Sequence, residues 1–190
     1  MKTTLFSILF CAVTLALISE NIYAQETTET KPTPNQEFKN SIGIAAGTTT
    51  AYGLSYRRYI NRFAAQLTFA PYKNNKSSDF NTDIQTTLHT GLTFFFILLD
   101  GAKANFFIYE SNYFYYNEHV KTDPPYNFYN NQVKYTNIKE VDKYLNVGVG
   151  LGFEVYIERR VGLNFMAGYG AFEDIDRIGI TGEMGLYFKL

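Results

Sequence analysis

Apolar and polar residues alternate with a period of two along most of this chain. From Val141 to Ile157 the odd positions Val141, Leu145, Val147, Val149, Leu151, Phe153, Val155 and Ile157 are apolar, with Lys143 the exception. The even positions Asp142, Asn146, Gly148, Gly150, Gly152, Glu154 and Glu158 are polar or bare. Side chains switch faces at every residue of a strand, so this is one long strand with an apolar face and a polar one. The glycines fall on a single face and no helix pattern follows them. They therefore lack the layout of a phosphate-binding loop, which needs a strand, a Gly-x-Gly-x-x-Gly turn and a helix N-terminus.

The same parity recurs. Val161, Leu163, Phe165, Ala167 and Tyr169 share one face; Ile178, Ile180, Met184, Leu186, Phe188 and Leu190 share another. Ile84, Leu88, Leu92, Phe94, Phe96 and Leu98 oppose Gln85, Thr87, His89 and Thr93. Shorter alternating runs cover Ile42–Ala45, Tyr52–Arg57 and Phe63–Phe69. Only 102–116 carries aromatics on both parities. About eight strands are predicted, with tight turns at Asn61-Arg62, Asp100-Gly101 and Glu158-Arg159-Arg160. Polar loops at 74–79, 119–136 and 173–176 alternate with these turns and so lie at the opposite end, where Thr48-Thr49-Thr50 is the short exception. The fold class this predicts is all-β, a closed up-and-down antiparallel barrel over 41–190.

Which face is wet decides between a soluble and a membrane barrel. The non-apolar face is made of Gly, Ser, Thr, Asn and Gln with few charges, which suits a cramped lumen better than a solvent-washed surface. Tyrosines near strand ends (Tyr52, Tyr59, Tyr72, Tyr156, Tyr169, Tyr187) predict an aromatic girdle at the lipid headgroups. In hydrocarbon every backbone group needs a partner within the protein, and closing the sheet provides one. The stretches 81–98, 102–117 and 141–157 exceed the 9–11 residues or so needed to cross. They are expected to project beyond the loop-side membrane surface as a raised sheet.

The ends of the chain add a compartment. Residues 1–24 combine Lys2, an apolar run from Leu5 to Ile18 and a small-residue end at Ala24, the layout of a cleaved secretory signal. The single cysteine, Cys11, lies inside it. Residues 25–40 are polar, hold two prolines and lack periodicity, which predicts a disordered periplasmic lead-in. The net charge of -1 offers no basic field for nucleic acid.

The terminal run Glu183-Met-Gly185-Leu-Tyr-Phe188-Lys-Leu190 resembles the assembly signal of outer-membrane barrels: polar, any, Gly, any, any, aromatic, any, hydrophobic. Leu190 stands where that family usually ends in an aromatic. With the strand count and the secretory signal, the chain resembles the small eight-stranded barrels of the OmpA-transmembrane and OmpX type. That resemblance implies an outer-membrane location, lipid and lipopolysaccharide as surroundings, and the barrel-assembly machinery as a partner during biogenesis. The positions it implicates are Glu183, Gly185, Phe188 and Leu190.

Candidate chemistry is sparse. Arg57, His89, Glu154, Glu183 and Lys189 take the inward parity, and unpaired charges in a narrow lumen are costly, so a polar network filling it is expected. Of the two histidines, His119 lies beside Glu118 in the longest loop, with Ser77-Ser78-Asp79 in another. A Ser–His–acid group of a lipid-modifying enzyme is the distant alternative to a non-enzymatic protein. No cofactor or metal-ligand spacing is present. The loop Asn112–Asn137 is rich in Tyr and Asn, among them Tyr113, Tyr115, Tyr116, Tyr126, Tyr129 and Tyr135. Flat rings and amides suit recognition of an extracellular glycan or protein. The reading is a barrel with a structural or surface-recognition role, and a narrow diffusion channel is the alternative.

Overall fold

A computed structural model describes residues 33–77, 82–123, 136–173 and 176–190. After a one-turn helix α1 (Pro34–Glu37), eight strands follow: β1 (Asn40–Gly47), β2 (Ala51–Ile60), β3 (Phe63–Ser77), β4 (Thr82–Asp100), β5 (Ala104–Asp123), β6 (Thr136–Glu158), β7 (Val161–Phe172) and β8 (Arg177–Lys189). Each pairs antiparallel with its sequence neighbour, and β1 pairs with β8, so the sheet closes. Closure removes both edges of the sheet.

Parity assigns the faces correctly along the seven strands other than β5. Val149, Leu151, Phe153, Ile180 and Met184 face outward, Leu151 at 50% and Ile180 at 80% exposure. Arg57, Gln66, Glu154, Asn164 and Lys189 are sealed inside, Arg57 at 1%. The ambiguous strand β5 resolves with odd residues inward: Asn105, Phe107, Tyr109, Ser111 and Tyr113 are buried. Its even aromatics Phe106 and Phe114 join the outer belt.

Four expectations need correction. The lumen is not purely polar, because Phe95, Ile97, Phe107, Tyr109 and Met166 pack as an apolar cluster inside it. Nearby glycines leave the room: a Cβ on Gly152 would lie 2.4 Å from the Phe107 ring, and one on Gly150 would lie 2.8 Å from Tyr109. Of the six girdle tyrosines, Tyr169 alone keeps to the outer surface: Tyr72 takes the inner parity of β3, Tyr52 turns its hydroxyl to His89, and Tyr59, Tyr156 and Tyr187 are inside the barrel. Their phenols serve as hydrogen-bonding groups within the lumen, a use that position near a strand end does not reveal. Thirdly, much of the predicted loop sequence is strand. Asn74–Ser77 belongs to β3, and residues 112–123 with 136–137 belong to β5 and β6. Lastly, residues 33–39, the end of the expected lead-in, are ordered against the barrel as described below.

Pairing of β2 with β3 stops at Leu54–Phe69, and pairing of β6 with β7 stops at Val147–Ala171. Pairing of β3, β4, β5 and β6 with one another continues well beyond those points. A four-stranded wall therefore rises above the ring, as the over-long strands predict, with β3 as a member that sequence length did not single out.

Candidate functional site

The floor of the lumen is a charge network. Arg57 donates from Nε (3.0 Å) and Nη2 (2.7 Å) to Oε1 of Gln66, and from Nη1 to Tyr59 OH. Its guanidinium lies between the rings of Phe95 and Tyr187, 4.4 and 4.2 Å from their centroids. Glu154 Oε2 accepts from Tyr59 OH at 3.0 Å and Asn105 Nδ2 at 3.3 Å, with Arg57 Nη1 and Lys189 Nζ at 3.6 and 3.7 Å. Gln66 Nε2 and Asn164 Nδ2 both donate to Glu183. Two cations and two carboxylates thus balance in one connected cluster, which is how a charge survives burial. Gln66 links Arg57 to Glu183, Asn105 links Glu154 to Tyr156, and Asn164 holds the Glu183 carboxylate. They share the inward parity, but no feature of their own marks them in the sequence.

Both ends of this lumen are closed. At the short-turn end, α1 sits across the opening. Lys189 Nζ and Tyr156 OH donate to Asn35 Oδ1, at 2.5 and 2.9 Å. Asn35 Nδ2 and Thr33 Oγ1 both donate to Asp100, and Arg159 pairs with Glu37. At the other end the β1–β2 connection folds inward. Thr49 and Thr50 are buried. The Thr49 hydroxyl meets those of Thr181 (2.8 Å) and Ser111 (2.9 Å), and the Thr48 carbonyl accepts from Asn146. Bare Cα atoms receive this turn: a Cβ on Gly91 would lie 1.9 Å from the Thr50 carbonyl oxygen, and one on Gly148 would lie 2.4 Å from Thr49 Oγ1. Ala51 leaves the turn with φ 65°, the left-handed conformation that such a tight reversal requires.

Above that threonine plug the raised wall presents an inner face whose register sets out rows. The lowest runs Ala70, His89, Tyr115, Tyr144; the next Tyr72, Thr87, Asn117, Asp142; the third Asn74, Gln85, His119, Glu140. Rings of Tyr115 and Tyr144 stack at 4.5 Å between centroids. His89 bonds Tyr52 OH through Nε2 (2.5 Å) and Tyr113 OH through Nδ1 (2.6 Å), one ring nitrogen donating and the other accepting. Asn117 Oδ1 accepts from Thr87 and Gln85, and His119 pairs with Asp83. The result is an aromatic shelf bordered by amides, hydroxyls and carboxylates. On the opposite face Glu118 accepts from Tyr116 OH at 2.6 Å and pairs with Lys139 at 2.9 Å. The Tyr116 hydrogen bond, then the one from Lys139, holds the Glu118 carboxyl below the usual carboxylate range.

A closed eight-stranded ring with charge inside and grease outside is the inverse of a soluble core, and it satisfies its backbone as a membrane-spanning sheet must. The chain has the fold of the small eight-stranded outer-membrane barrels. No family model and no curated protein matches it. Among solved structures it is similar to the N-terminal barrel of Pseudomonas aeruginosa OprF, at 11% identity over 80% of this chain and 95% of that one, with a TM-score of 0.42. It is also similar to Ail, the attachment invasion locus protein of Yersinia pestis, at 12% identity over 79% and 94%, with a TM-score of 0.40. Acinetobacter baumannii CarO2 matches at 11% identity over 80% and 97%, with a TM-score of 0.40.

Within the barrel, Arg57, Glu154, Glu183 and Lys189 come together, whereas His89 stands apart among the tyrosines of the raised wall. In the terminal run, Glu183 faces the lumen, Gly185 lies against the Tyr187 ring, and Phe188 and Leu190 face outward. Tyr113 and Tyr115 lie on the inner face of the wall and Tyr116 on the outer one, all in β5 rather than in a loop. Tyr126, Tyr129 and Tyr135 lie outside the described residues, as do Ser78, Asp79, the secretory segment and the first part of the lead-in. Sequence reasoning missed Tyr52 and Tyr144 as partners of the shelf, and missed the inward threonine turn. The one available signal was Gly91, Gly148 and Gly170 on the lumen face of separate strands. Among the described residues no group of His, Cys, Asp and Glu could hold a metal ion.

Proposed function

We propose that this is an outer-membrane barrel whose role is recognition at the cell surface, and that the inner face of the raised wall binds a saccharide. The observation that carries this reading is the stacked Tyr115–Tyr144 pair beside His89, directly above a plugged lumen. The C–H face of a sugar ring stacks on an aromatic plane, and its hydroxyls need the donors and acceptors that Asn117, Gln85, His119 and Asp142 put within one or two rows. Tyrosine contributes this contact area at low conformational cost. Closure of both lumen ends, and the side chains filling the space between them, count against the diffusion channel.

The refolded barrel in lipid nanodiscs, presented to an oligosaccharide and lipopolysaccharide panel, tests the reading. Saccharide binding that is lost in Tyr115→Ala/Tyr144→Ala, with the heat-dependent gel mobility of the folded barrel retained, is the expected outcome. Absence of saccharide binding, or binding indifferent to those two substitutions, rules this site out. Single-channel conductance of the same preparation is expected to stay at baseline, and steady conductance would favour the channel.

A further inference from the structure

The outer belt of the barrel contains a polar pair. Glu110 and Asn112 project from β5 on the outward parity, flanked in register by Phe94 and Val149 and by Leu92 and Val147. Asn112 Nδ2 donates to Glu110 Oε1 at 2.6 Å. Height follows from the pairing rows. The row through Glu110 runs Asn40, Arg58, Ala65, Phe94, Glu110, Val149, Tyr169, Ile180. It starts at the short-turn rim and ends near the loop rim, so Glu110 sits in the middle. Counting up β5 from Ala104 agrees: at about 3.4 Å per residue and a tilt of about 40°, Glu110 stands roughly 16 Å above that rim, inside an apolar band about 25 Å tall. Among the described outward residues between the rims it is the sole carboxylate.

We propose that this face, centred on Glu110 and Asn112, is where two copies of the chain associate within the membrane. The intrachain hydrogen bond uses one carboxylate oxygen and one amide hydrogen. Among the described residues nothing takes Glu110 Oε2, the Asn112 carbonyl or its second amide hydrogen. Water and lipid headgroups do not reach this depth, so the partner must come from protein. A second copy supplies it because the pair is self-complementary: under a two-fold axis along the membrane normal, the amide of one copy meets the carboxyl of the other. Two strands with the same tilt of about 40° cross at about 80° on such an axis, so contact concentrates at the crossing point. A compact polar pair ringed by Leu92, Phe94, Ile108 and Phe114 fits a point contact better than a long seam, and polar side chains hold transmembrane elements together in this way.

Sedimentation equilibrium of the folded full-length chain in density-matched micelles tests the proposal, alongside energy transfer between labelled copies in phospholipid vesicles. The wild type is expected to sediment as a dimer, and Glu110→Gln, which keeps the hydrogen-bonding shape, is expected to remain one. Glu110→Leu/Asn112→Leu is expected to sediment as a monomer with unchanged heat-dependent gel mobility and to lose energy transfer. Oxidative cross-linking through Phe94→Cys is expected to exceed that through Ile44→Cys on the opposite wall. A monomeric wild type, a dimer that survives the double leucine substitution, or equal cross-linking at both walls overturns the proposal.

Discussion

Lys189 Nζ donates to Asn35 Oδ1 at 2.5 Å, joining the last strand to a helix turn 154 residues earlier. This bond holds the floor of the barrel closed, because Asn35 also receives Tyr156 and reaches Asp100. Asn35→Ala is expected to destabilise the folded barrel by about 1–3 kcal/mol, since it leaves buried donors without their acceptor. Urea unfolding in vesicles, followed by far-ultraviolet circular dichroism, measures the change. The chain has no tryptophan to report it by fluorescence. Amide exchange at Thr33–Lys39 is expected to accelerate in the variant, while that of β6 stays protected.

Gly91 leaves the space into which the threonine turn folds. Gly91→Ala brings a methyl against the Thr50 carbonyl, a backbone group that cannot rotate away. The turn is expected to be expelled, at a cost of about 1–3 kcal/mol from overpacking. Hydrogen exchange at Thr48–Ala51 reads this directly. Gly179→Ala serves as the control, because its added Cβ meets only the Phe172 ring at 3.5 Å, an ordinary contact.

Leu151 faces acyl chains near the middle of β6. Leu151→Arg is expected to lower the stability of the inserted barrel by about 2–4 kcal/mol, the cost of a cation on the lipid face at mid-depth. Leu151→Phe is expected to be neutral. Folding equilibria into phospholipid vesicles give both values, and a soluble, detergent-independent Leu151→Arg protein would contradict the inside-out orientation.

The raised wall is expected to loosen in acid. Glu118 accepts from Tyr116 and Lys139, and its carboxyl is held below the ordinary value of 4.5. A carboxylate depressed on folding contributes stability above its unfolded value and loses it as pH falls through the folded one. Amide exchange at Val120 and Ile138, corrected for intrinsic rates, is therefore expected to speed up below about pH 4.5, with little change from there to neutrality. Glu118→Gln is expected to remove that pH dependence.

Much of this molecule is a local property of its sequence. Alternation assigns Val149, Leu151 and Phe153 to one face and Gly148, Gly150 and Glu154 to the other without reference to any distant residue, because side-chain direction along a strand depends only on parity. Excess strand length announces the raised wall for the same reason. Parity also places Arg57, Glu154, Glu183 and Lys189 in one lumen. It is silent on β5, where aromatics fill both faces: Phe107 and Tyr109 are as suited to a lumen with glycines opposite as Phe106 and Phe114 are to lipid.

What the tertiary structure alone decided is which inward residues share a level. That depends on stagger around the ring, a global quantity that no single strand encodes. It brings Gln66 between Arg57 and Glu183 and sets His89 beside Tyr52 and Tyr113 instead of among the charges. Stagger likewise lays Gly91 and Gly148 opposite a threonine turn and seats Asn35 over Lys189. Alternation along each strand determined inside from outside; the closure of eight strands at one particular stagger determined who meets whom within.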